Sequence, residues 1–184
     1  MNTVEPIRDI ELVWDIADYL KLKNERDYVM FLFGIYSGLR ISDILQLRVR
    51  DIKDKKYIII RETKTGKERR FPVNDELKPV LKNYIADMED YEYLFKSKKG
   101  MNKSISRQQA YNILDDAAKH FGLQSIGTHT LRKTFGYHTY QQTKDSVTLK
   151  EILNHSDISV TLRYIGINQD IKDNTIRRLS FKKK

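Results

Sequence analysis

The stretch that decides the fold class of this chain is residues 57–73, which read YIIIRETKTGKERRFPV. Residues 57–61 predict a strand, because the first four of them are aromatic or β-branched. Residues 63–67 contain a glycine and predict a turn. Residues 68–73 predict a second strand, which Pro72 stops because proline cannot donate a hydrogen bond to a strand ladder. The stretch therefore predicts one antiparallel β-hairpin.

Helical patterns flank the hairpin on both sides. Apolar residues recur at helical spacing over 10–20, and a more apolar helix is predicted over 25–37. Ser42 is predicted to cap a short helix that runs through Leu47. Beyond the hairpin, the predicted helices are 75–88, 107–120 (capped by Ser106 and ended by Gly122), 129–140 (capped by Thr128), 148–153, 158–165 and 169–179. The predicted fold class is mostly α with a small antiparallel β-hairpin.

Composition limits the classes of function. The chain has 184 residues, of which 40% are hydrophobic, and this fits one domain of ordinary size. Its net charge of +9 attracts polyanions such as nucleic acid, although an ordinary basic protein shows the same excess. The absence of cysteine excludes disulfides and thiolate metal sites. The longest apolar run, Tyr28–Tyr36, is too short to span a bilayer, and early acidic residues disfavour a signal peptide.

Cationic side chains and one tyrosine recur in four short strings. The strings are G-L-R-I-S-D at 38–43, T-K-T-G-K at 63–67, H-T-L-R at 129–132 and N-H-S-D-I-S-V-T-L-R-Y at 154–164. The candidate catalytic residues that they contain are Arg40, Lys64, His129, Arg132, His155 and Tyr164. A guanidinium fork matches two phosphate oxygens, so this set suits the binding of a phosphodiester. A tyrosine among these groups suits a nucleophile that becomes attached to the phosphate.

Each signal alone also has a simpler interpretation. His129 and Arg132 share a helix face at i and i+3, but such a pair is commonly solvated surface. Arg40 follows a helix end, where a surface cation is mildly favourable. Its apolar neighbours in the sequence weaken that interpretation, and Asp43, three residues on, could orient its guanidinium.

The hairpin turn is basic, and it can be either a solvent-exposed turn or a loop that enters a DNA groove. In the second case Lys64 reaches the scissile phosphate and protonates the departing oxygen. The cations expected to contact DNA are Lys67, Arg69, Arg70 and Lys133. Tyr164 is one of eleven tyrosines, so its identity as a nucleophile depends on its spacing from the other residues.

The order, spacing and residue types of the four strings together closely resemble the tyrosine recombinase family, which comprises phage integrases and Xer-like site-specific recombinases. The catalytic domain of that family carries G-L-R-x-S-E/D, as at 38–43, and a hairpin lysine eight residues before a proline, as at 64 and 72. It also carries H-x-L-R, as at 129–132, and a nucleophilic tyrosine nine residues after a histidine, as at 155 and 164. The resemblance covers about residues 8–180, although Asn154 replaces the usual glycine and Lys133 a frequent histidine.

The resemblance implies the tyrosine recombinase catalytic-domain fold and strand exchange through a covalent 3′-phosphotyrosine, with no metal and no cofactor. The adjacent acidic pairs at 89–90 and 115–116 lack the spacing of metal ligands. In the roles that the resemblance implies, Tyr164 attacks the phosphorus atom, and Arg40 and Arg132 stabilise the charge on the phosphate oxygens. His129 takes the tyrosine proton or holds the phosphate, and His155 binds a non-bridging oxygen. Lys64 protonates the leaving 5′ oxygen.

Residues 1–184 are expected to form one catalytic domain without the N-terminal core-binding domain that family members usually carry, so the chain is interpreted as a fragment or an unusually short member. Residues 169–184 form a C-terminal segment that either packs on its own domain or docks on a neighbouring protomer. The resemblance implies double-stranded DNA as partner, a homotetramer on DNA, a monomer without it, no membrane association and a cytoplasmic, bacterial or phage-encoded protein.

Two alternatives to recombination stay open at this point. One is a type IB topoisomerase-like or resolvase enzyme with the same site chemistry. The other is a DNA-binding module whose catalysis is vestigial. The sequence indicates neither the DNA target nor whether the biological role is integration, transposition or dimer resolution.

Overall fold

The computed structural model describes residues 4–64, 66–124 and 126–180. Its helices are α1 (Ile10–Lys23), α2 (Glu25–Ser37), α3 (Ile41–Ile44), α4 (Leu77–Tyr84), α5 (Arg107–His120), α6 (Thr130–Thr143), α7 (Ser146–Ile152), α8 (Ile158–Tyr164) and α9 (Ile167–Arg178), with a 3₁₀ turn at Val49–Asp51. The strands β1 (Tyr57–Arg61) and β2 (Glu68–Pro72) form a two-stranded sheet. The predicted fold class, mostly α with a small antiparallel sheet, is confirmed.

The hairpin lies where the sequence predicted it. Strands β1 and β2 are antiparallel, with Tyr57 opposite Pro72 and Arg61 opposite Glu68. Side chains alternate between the two faces of a strand, and Ile58 is accordingly buried while Ile59 is 57% exposed. The hairpin therefore packs one face on the helices, and its turn extends beyond the end of the sheet.

Helix α2 lies at the centre of the main core and packs against α1, α4 and α6. A Cβ on Gly34 of α2 would lie 2.4 Å from Cδ1 of Leu131 on α6, so only glycine permits the close approach of these two helices. A second, smaller core joins α7, α8 and the start of α9. Phe135, Tyr137 and Tyr140 of α6 pack against it. Helix α6 thus connects both cores.

Several predicted helix starts differ from the structure. Ser42 lies inside α3, whose N-cap is Arg40, and Thr128 precedes the N-cap of α6, which is His129. Both predicted caps are therefore wrong. The Ser106 cap of α5 is confirmed, because its hydroxyl accepts a hydrogen bond from the Gln109 N–H at 3.1 Å.

Several helices differ in their bounds from the prediction, and α4 and α9 are two of them. Helix α4 covers 77–84 rather than 75–88, because a turn bonded through the Asn74 side chain precedes it. Helix α9 begins at Ile167 directly after Gly166, earlier than residue 169. Within the described ranges, no helix has the length and apolar character needed to cross a membrane.

Candidate active site

The predicted site residues converge where four parts of the fold meet. These parts are the start of α3, the hairpin turn, the start of α6 and the α7–α8 pair. Arg40, Lys64 and His129 line one polar cavity of about 280 Å³. Tyr164 contacts the rings of His129 and His155. Segments far apart in the sequence thus bring five of the six candidates together directly, and Arg132 lies beneath them.

Arg132 is the most deeply placed of the site cations, at 2% exposure. Its Nη1 donates to the Gly38 carbonyl at 2.6 Å, and its Nη2 donates to the Leu153 carbonyl at 2.5 Å. Burial lowers the pKa of Arg132 to about 10, and Arg40 contributes in the same direction. The guanidinium is therefore fixed between the end of α2 and the end of α7 before any ligand binds.

Position 38 accepts only glycine, because of its backbone conformation and because Phe135 lies close to it. Its φ of 62° is in the left-handed region, where residues other than glycine are strained. A Cβ at Gly38 would also lie 2.3 Å from Cδ1 of Phe135 on α6. The carbonyl that holds Arg132 thus depends on a glycine at the end of α2.

Arg40 is oriented mainly by a residue that the sequence analysis did not identify. Its Nη1 lies 3.1 Å from Glu62 Oε1 but 4.0 Å from Asp43 Oδ2. Asp43 instead accepts hydrogen bonds from the Thr63 backbone N–H at 3.0 Å and the Thr63 hydroxyl at 2.8 Å. Asp43 therefore holds the hairpin turn close to α3 and is the more distant of the two carboxylates beside Arg40, of which Glu62 is the nearer.

Glu62 is almost fully buried and joins two arginines. Its Oε1 lies 3.1 Å from Arg40 Nη1 and 2.9 Å from Arg69 Nη1. A signal for it exists in the sequence, because 58, 60 and 62 alternate toward the buried face of the hairpin. A carboxylate in that register needs a cationic partner, since an unpaired buried charge is costly.

Tyr164 lies beside both site histidines. Its Oη is 3.4 Å from Nδ1 of His129, and its ring lies 4.9 Å from the His155 ring, edge to face. Burial raises the pKa of Tyr164, while Arg132 and Arg40 act in the opposite direction. The phenol is therefore protonated at neutral pH, and a base is needed to remove its proton.

The two histidines are both held neutral in the free protein. Limited solvation and the charge of Arg132 lower the pKa of His129. Burial, followed by the charges of Arg132 and Arg40, lowers the pKa of His155 to about 4. A neutral His129 can accept a proton from Tyr164, and the 3.4 Å separation is of the loose kind common before substrate binds.

Lys64 is exposed in the hairpin turn and borders the cavity beside Arg40. Arg107, at the first position of α5, borders the same cavity, and the sequence analysis did not select it. Neither side chain has a hydrogen bond or ion pair among residues 4–64, 66–124 and 126–180. Both cations are thus available to an anionic ligand.

The four expected DNA contacts divide into two pairs. Lys67 and Arg70 are exposed on the hairpin, and the Arg70 guanidinium lies 4.4 Å from the centre of the Tyr57 ring. Arg69 instead donates to Glu62 and to the Ile152 carbonyl. Lys133 is 7% exposed, because its position on α6 faces inward.

The placement of Lys133 differs most from the expectation of a DNA contact. Its Nζ donates to the Val4 carbonyl at 2.7 Å and lies 5.0 Å from the centre of the Tyr164 ring. Lys133 therefore lies against the Tyr164 ring from inside the protein, and Arg69 joins the hairpin to α7. The structure gives both residues intramolecular partners, and their predicted contact with DNA stays a prediction.

No cluster of three acidic or histidine side chains with a metal-binding arrangement is found in the part of the chain that the structure describes. The expectation of metal-independent chemistry stays a prediction.

Comparison with known proteins identifies the family. The sequence model of the phage integrase family matches residues 8–170. The chain is 53% identical over 170 residues to the probable integrase/recombinase YoeC of Bacillus subtilis strain 168, covering 92% of this chain and 93% of that protein. It shares 27% to 32% identity with a set of tyrosine recombinases, of whose length it spans between 46% and 66%.

Solved structures agree on the fold. The XerA recombinase superimposes with a TM-score of 0.75 at 21% identity, over 96% of this chain and 67% of that one. The XerH site-specific recombinase, bound to its palindromic difH substrate in a post-cleavage complex, gives a TM-score of 0.73 at 17% identity, over 97% of this chain and 54% of that one. With its fold and sequence both matched, the chain belongs to the phage integrase family, whose members are tyrosine recombinases that cleave and rejoin DNA at specific sites.

Proposed function

We propose that this chain is the catalytic domain of a site-specific tyrosine recombinase, which cleaves and rejoins DNA through a covalent 3′-phosphotyrosine on Tyr164. The observation that carries the proposal is the position of the Tyr164 phenol, whose oxygen lies 3.4 Å from Nδ1 of neutral His129 and whose charged form is favoured by Arg132 and Arg40 against the effect of burial, which raises its pKa. A phosphodiester placed against those arginines lies next to the phenol oxygen.

The first step is attack of the phenol on phosphorus. Free tyrosine has a pKa of about 10 and is a poor nucleophile at neutral pH. His129 takes the proton as Tyr164 attacks, and Arg40 and Arg132 stabilise the charge that develops on the phosphate oxygens. Glu62 orients Arg40, and two backbone carbonyls orient Arg132, before DNA binds. The two guanidiniums therefore need little reorganisation during the reaction.

The second half of the step is departure of the 5′ oxygen. Lys64 borders the cavity beside Arg40, and it protonates that oxygen as the P–O bond breaks. His155 binds a non-bridging oxygen. The new phosphotyrosine ester conserves the energy of the broken phosphodiester bond. A new 5′ hydroxyl can therefore attack the phosphotyrosine, and rejoining reverses the steps of cleavage.

The decisive test is a suicide substrate, a duplex nicked just 3′ of the scissile phosphate, so that the short fragment carrying the new 5′ hydroxyl diffuses away after cleavage. The wild-type chain should accumulate a covalent adduct, and mass spectrometry should place it on the peptide that contains Tyr164. An adduct on another tyrosine would contradict the assignment. The type IB topoisomerase-like, resolvase and vestigial DNA-binding alternatives are not favoured, because the relatives are recombinases; exchange between two sites separates recombination from relaxation.

Double-stranded DNA is the partner that we propose, since the XerH structure contains its difH substrate. Exposed Lys64, Lys67, Arg70 and Arg107 supply phosphate contacts, which give salt-dependent binding. The chain is proposed to be a monomer without DNA and a homotetramer on it. A cytoplasmic location follows from the DNA substrate.

The C-terminal segment 169–184 is proposed to dock on a neighbouring protomer. Ile171, Ile176 and Leu179 are 56%, 71% and 66% exposed. Phe181, the fourth apolar residue of the predicted set, lies outside the described residues. The start of α9 is fixed on its own domain, because Ile167 is buried and Asp170 Oδ1 accepts from Arg8 Nε at 3.0 Å. The exposed residues that follow are free to contact a second copy of the chain.

A further inference from the structure

His155 is hydrogen-bonded to a buried hydroxyl that no step above uses. Its Nδ1 lies 3.1 Å from Oγ1 of Thr161, a residue with no exposed surface. The same Oγ1 lies 3.2 Å from the Asp157 carbonyl oxygen, one turn earlier in α8. A hydroxyl has one proton to donate, and a carbonyl can only accept. Thr161 therefore donates to Asp157 and accepts from His155, so Nδ1 of His155 carries a proton.

This assignment decides what His155 can offer a ligand. In a neutral imidazole with Nδ1 protonated, Nε2 has a lone pair and no proton. Such a nitrogen repels a phosphate oxygen instead of binding it. His155 can donate to a non-bridging oxygen only as imidazolium, with a proton on each nitrogen.

We propose that Thr161 is a positioning residue that holds His155 in the Nδ1–H form with Nε2 free, and that Nε2 takes up a proton from solvent when a DNA phosphodiester enters the site. The proposal rests on the proposed function, because it concerns the same phosphate. The only bond formed on the protein is Nε2–H, the proton is given up by hydronium or water, and no bond of the DNA breaks in this step. The imidazolium that forms donates from Nε2 to the phosphate and from Nδ1 to Thr161.

The charges around His155 favour this coupling. Arg132 on α6 and Arg40 before α3 face it, and both disfavour a positive imidazole in the free protein. The Tyr164 side chain on α8 is uncharged, with its ring 4.9 Å from the His155 ring, and the Lys150 carbonyl on α7 accepts from the His155 backbone N–H at 3.0 Å.

The buried carboxylate nearest in this part of the site is that of Glu62, and it is already paired with cations. Glu62 approaches the adjacent Asn154, but its carboxylate pairs with Arg40 and Arg69. A phosphodiester brings one new negative charge against the two arginines, which offsets part of the positive charge that disfavours a protonated His155 and so raises its pKa.

The sign of the pH dependence follows. The pKa of His155 is about 4 in the free protein and is higher in the complex. DNA binding therefore strengthens as pH falls through the higher value, by up to tenfold for each pH unit for one proton, and becomes independent of pH again below the lower value.

The tautomer is tested directly by ¹⁵N NMR of histidine-labelled full chain, with the His155 signals assigned by their loss in His155→Gln. Free protein should show a protonated Nδ1 and an unprotonated Nε2. Addition of an uncleavable duplex, with a methylene in place of the scissile 5′ oxygen, should protonate both nitrogens. A free protein with Nε2 protonated, or a complex in which Nε2 stays unprotonated at pH 6, would overturn the proposal.

Two variants test the Thr161 hydroxyl separately from the shape of the side chain. Thr161→Val keeps the shape but removes the hydroxyl that accepts from His155, whereas Thr161→Ser retains the hydroxyl. In both variants the Asp157 carbonyl keeps its hydrogen bond from the backbone N–H of residue 161. Thr161→Val should lose the tautomer preference, lower the cleavage rate about tenfold and flatten the pH dependence of binding, as expected for loss of one hydrogen bond. Thr161→Ser should restore all three.

These measurements separate the proposal from the proposed function. Absence of a covalent adduct would contradict recombination while leaving the tautomer result in the free protein intact. A Thr161→Val chain with the wild-type tautomer and pH dependence would contradict the positioning role even if adducts form. If Thr161→Val melts before assay, the wild-type and Thr161→Ser spectra decide.

Discussion

Arg40 and Glu62 form an ion pair, with 3.1 Å between Nη1 and Oε1, that joins the start of α3 to the base of the hairpin turn. Glu62 also pairs with Arg69 on β2, and Arg69 donates to the Ile152 carbonyl at the end of α7. One buried carboxylate thus connects three of the parts that form the site. Its loss should affect both stability and catalysis.

The first prediction concerns Glu62→Gln. The change removes the negative charge and deprives two poorly solvated guanidiniums of their nearest carboxylate, so the free energy of unfolding should fall by about 3–5 kcal/mol. Cleavage of the suicide substrate should slow in the folded fraction, because Arg40 loses its orientation. The control is Glu68→Gln on the exposed side of the same hairpin, expected within about 0.5 kcal/mol of wild type. Equal denaturation midpoints for both variants would disprove the role of Glu62.

The second prediction concerns the nucleophile. Tyr164→Phe keeps the ring that packs on His155 and Lys133, so DNA affinity and the melting temperature should stay near wild type. The covalent adduct should disappear, because the attacking oxygen is gone. Tyr140→Phe, at a partly buried position on α6, is the matched control and should form adduct normally. A persistent adduct in Tyr164→Phe would refute the assignment.

The third prediction separates Lys64 from Lys67. A 5′-phosphorothiolate substrate has a leaving group that needs no protonation, so it should restore the cleavage rate of Lys64→Ala. The structure favours Lys64, which borders the cavity that also contains Arg40 and His129. Arg40→Ala is the control and should gain no such rescue, since charge stabilisation is still missing. Selective rescue of Lys67→Ala would reassign the general acid.

The fourth prediction concerns α9. Changing Ile171, Ile176 and Leu179 together to serine should leave the melting temperature of the free chain almost unchanged, because all three side chains are exposed. Assembly on DNA, measured by sedimentation, should stop at smaller complexes, while single-site cleavage continues. Leu22→Ser, at a position 89% exposed on α1, controls for lost surface apolarity. A large drop in melting temperature would show that α9 covers its own domain.

The fifth prediction uses two glycines with positive φ. Gly38→Ala combines left-handed backbone strain with a clash against Phe135, so unfolding free energy should fall by roughly 2–5 kcal/mol. Gly122 has a φ of 65° and nothing within 4 Å of an added Cβ, so Gly122→Ala should lose only about 1–2 kcal/mol. Urea denaturation measures both. Similar losses would mean that Phe135 moves away freely and that crowding at the Arg132 anchor is unimportant.

Local sequence signals predicted the regular elements well. Helices α2 and α5 begin and end where periodicity and a capping serine indicated, and β1 has its predicted bounds. Short-range chemistry sets these features, because a cap or an alternating strand involves residues only a few positions apart. The wrong caps, Ser42 and Thr128, fall where a loop runs directly into a site-bearing helix.

The candidate site likewise has features that local sequence determines and features that only long-range packing determines. The sequence by itself determined the candidate residues Arg40, Lys64, His129, Arg132, His155 and Tyr164, because the reaction requires particular functional groups at particular spacings along the chain. Only the tertiary structure decided which groups hold them: Glu62 beside Arg40, the Gly38 and Leu153 carbonyls on Arg132, and Thr161 on His155. It also gave Lys133 and Arg69 internal partners. Burial and ion pairing depend on which distant segments pack together, and spacing along one chain carries no information on those distances.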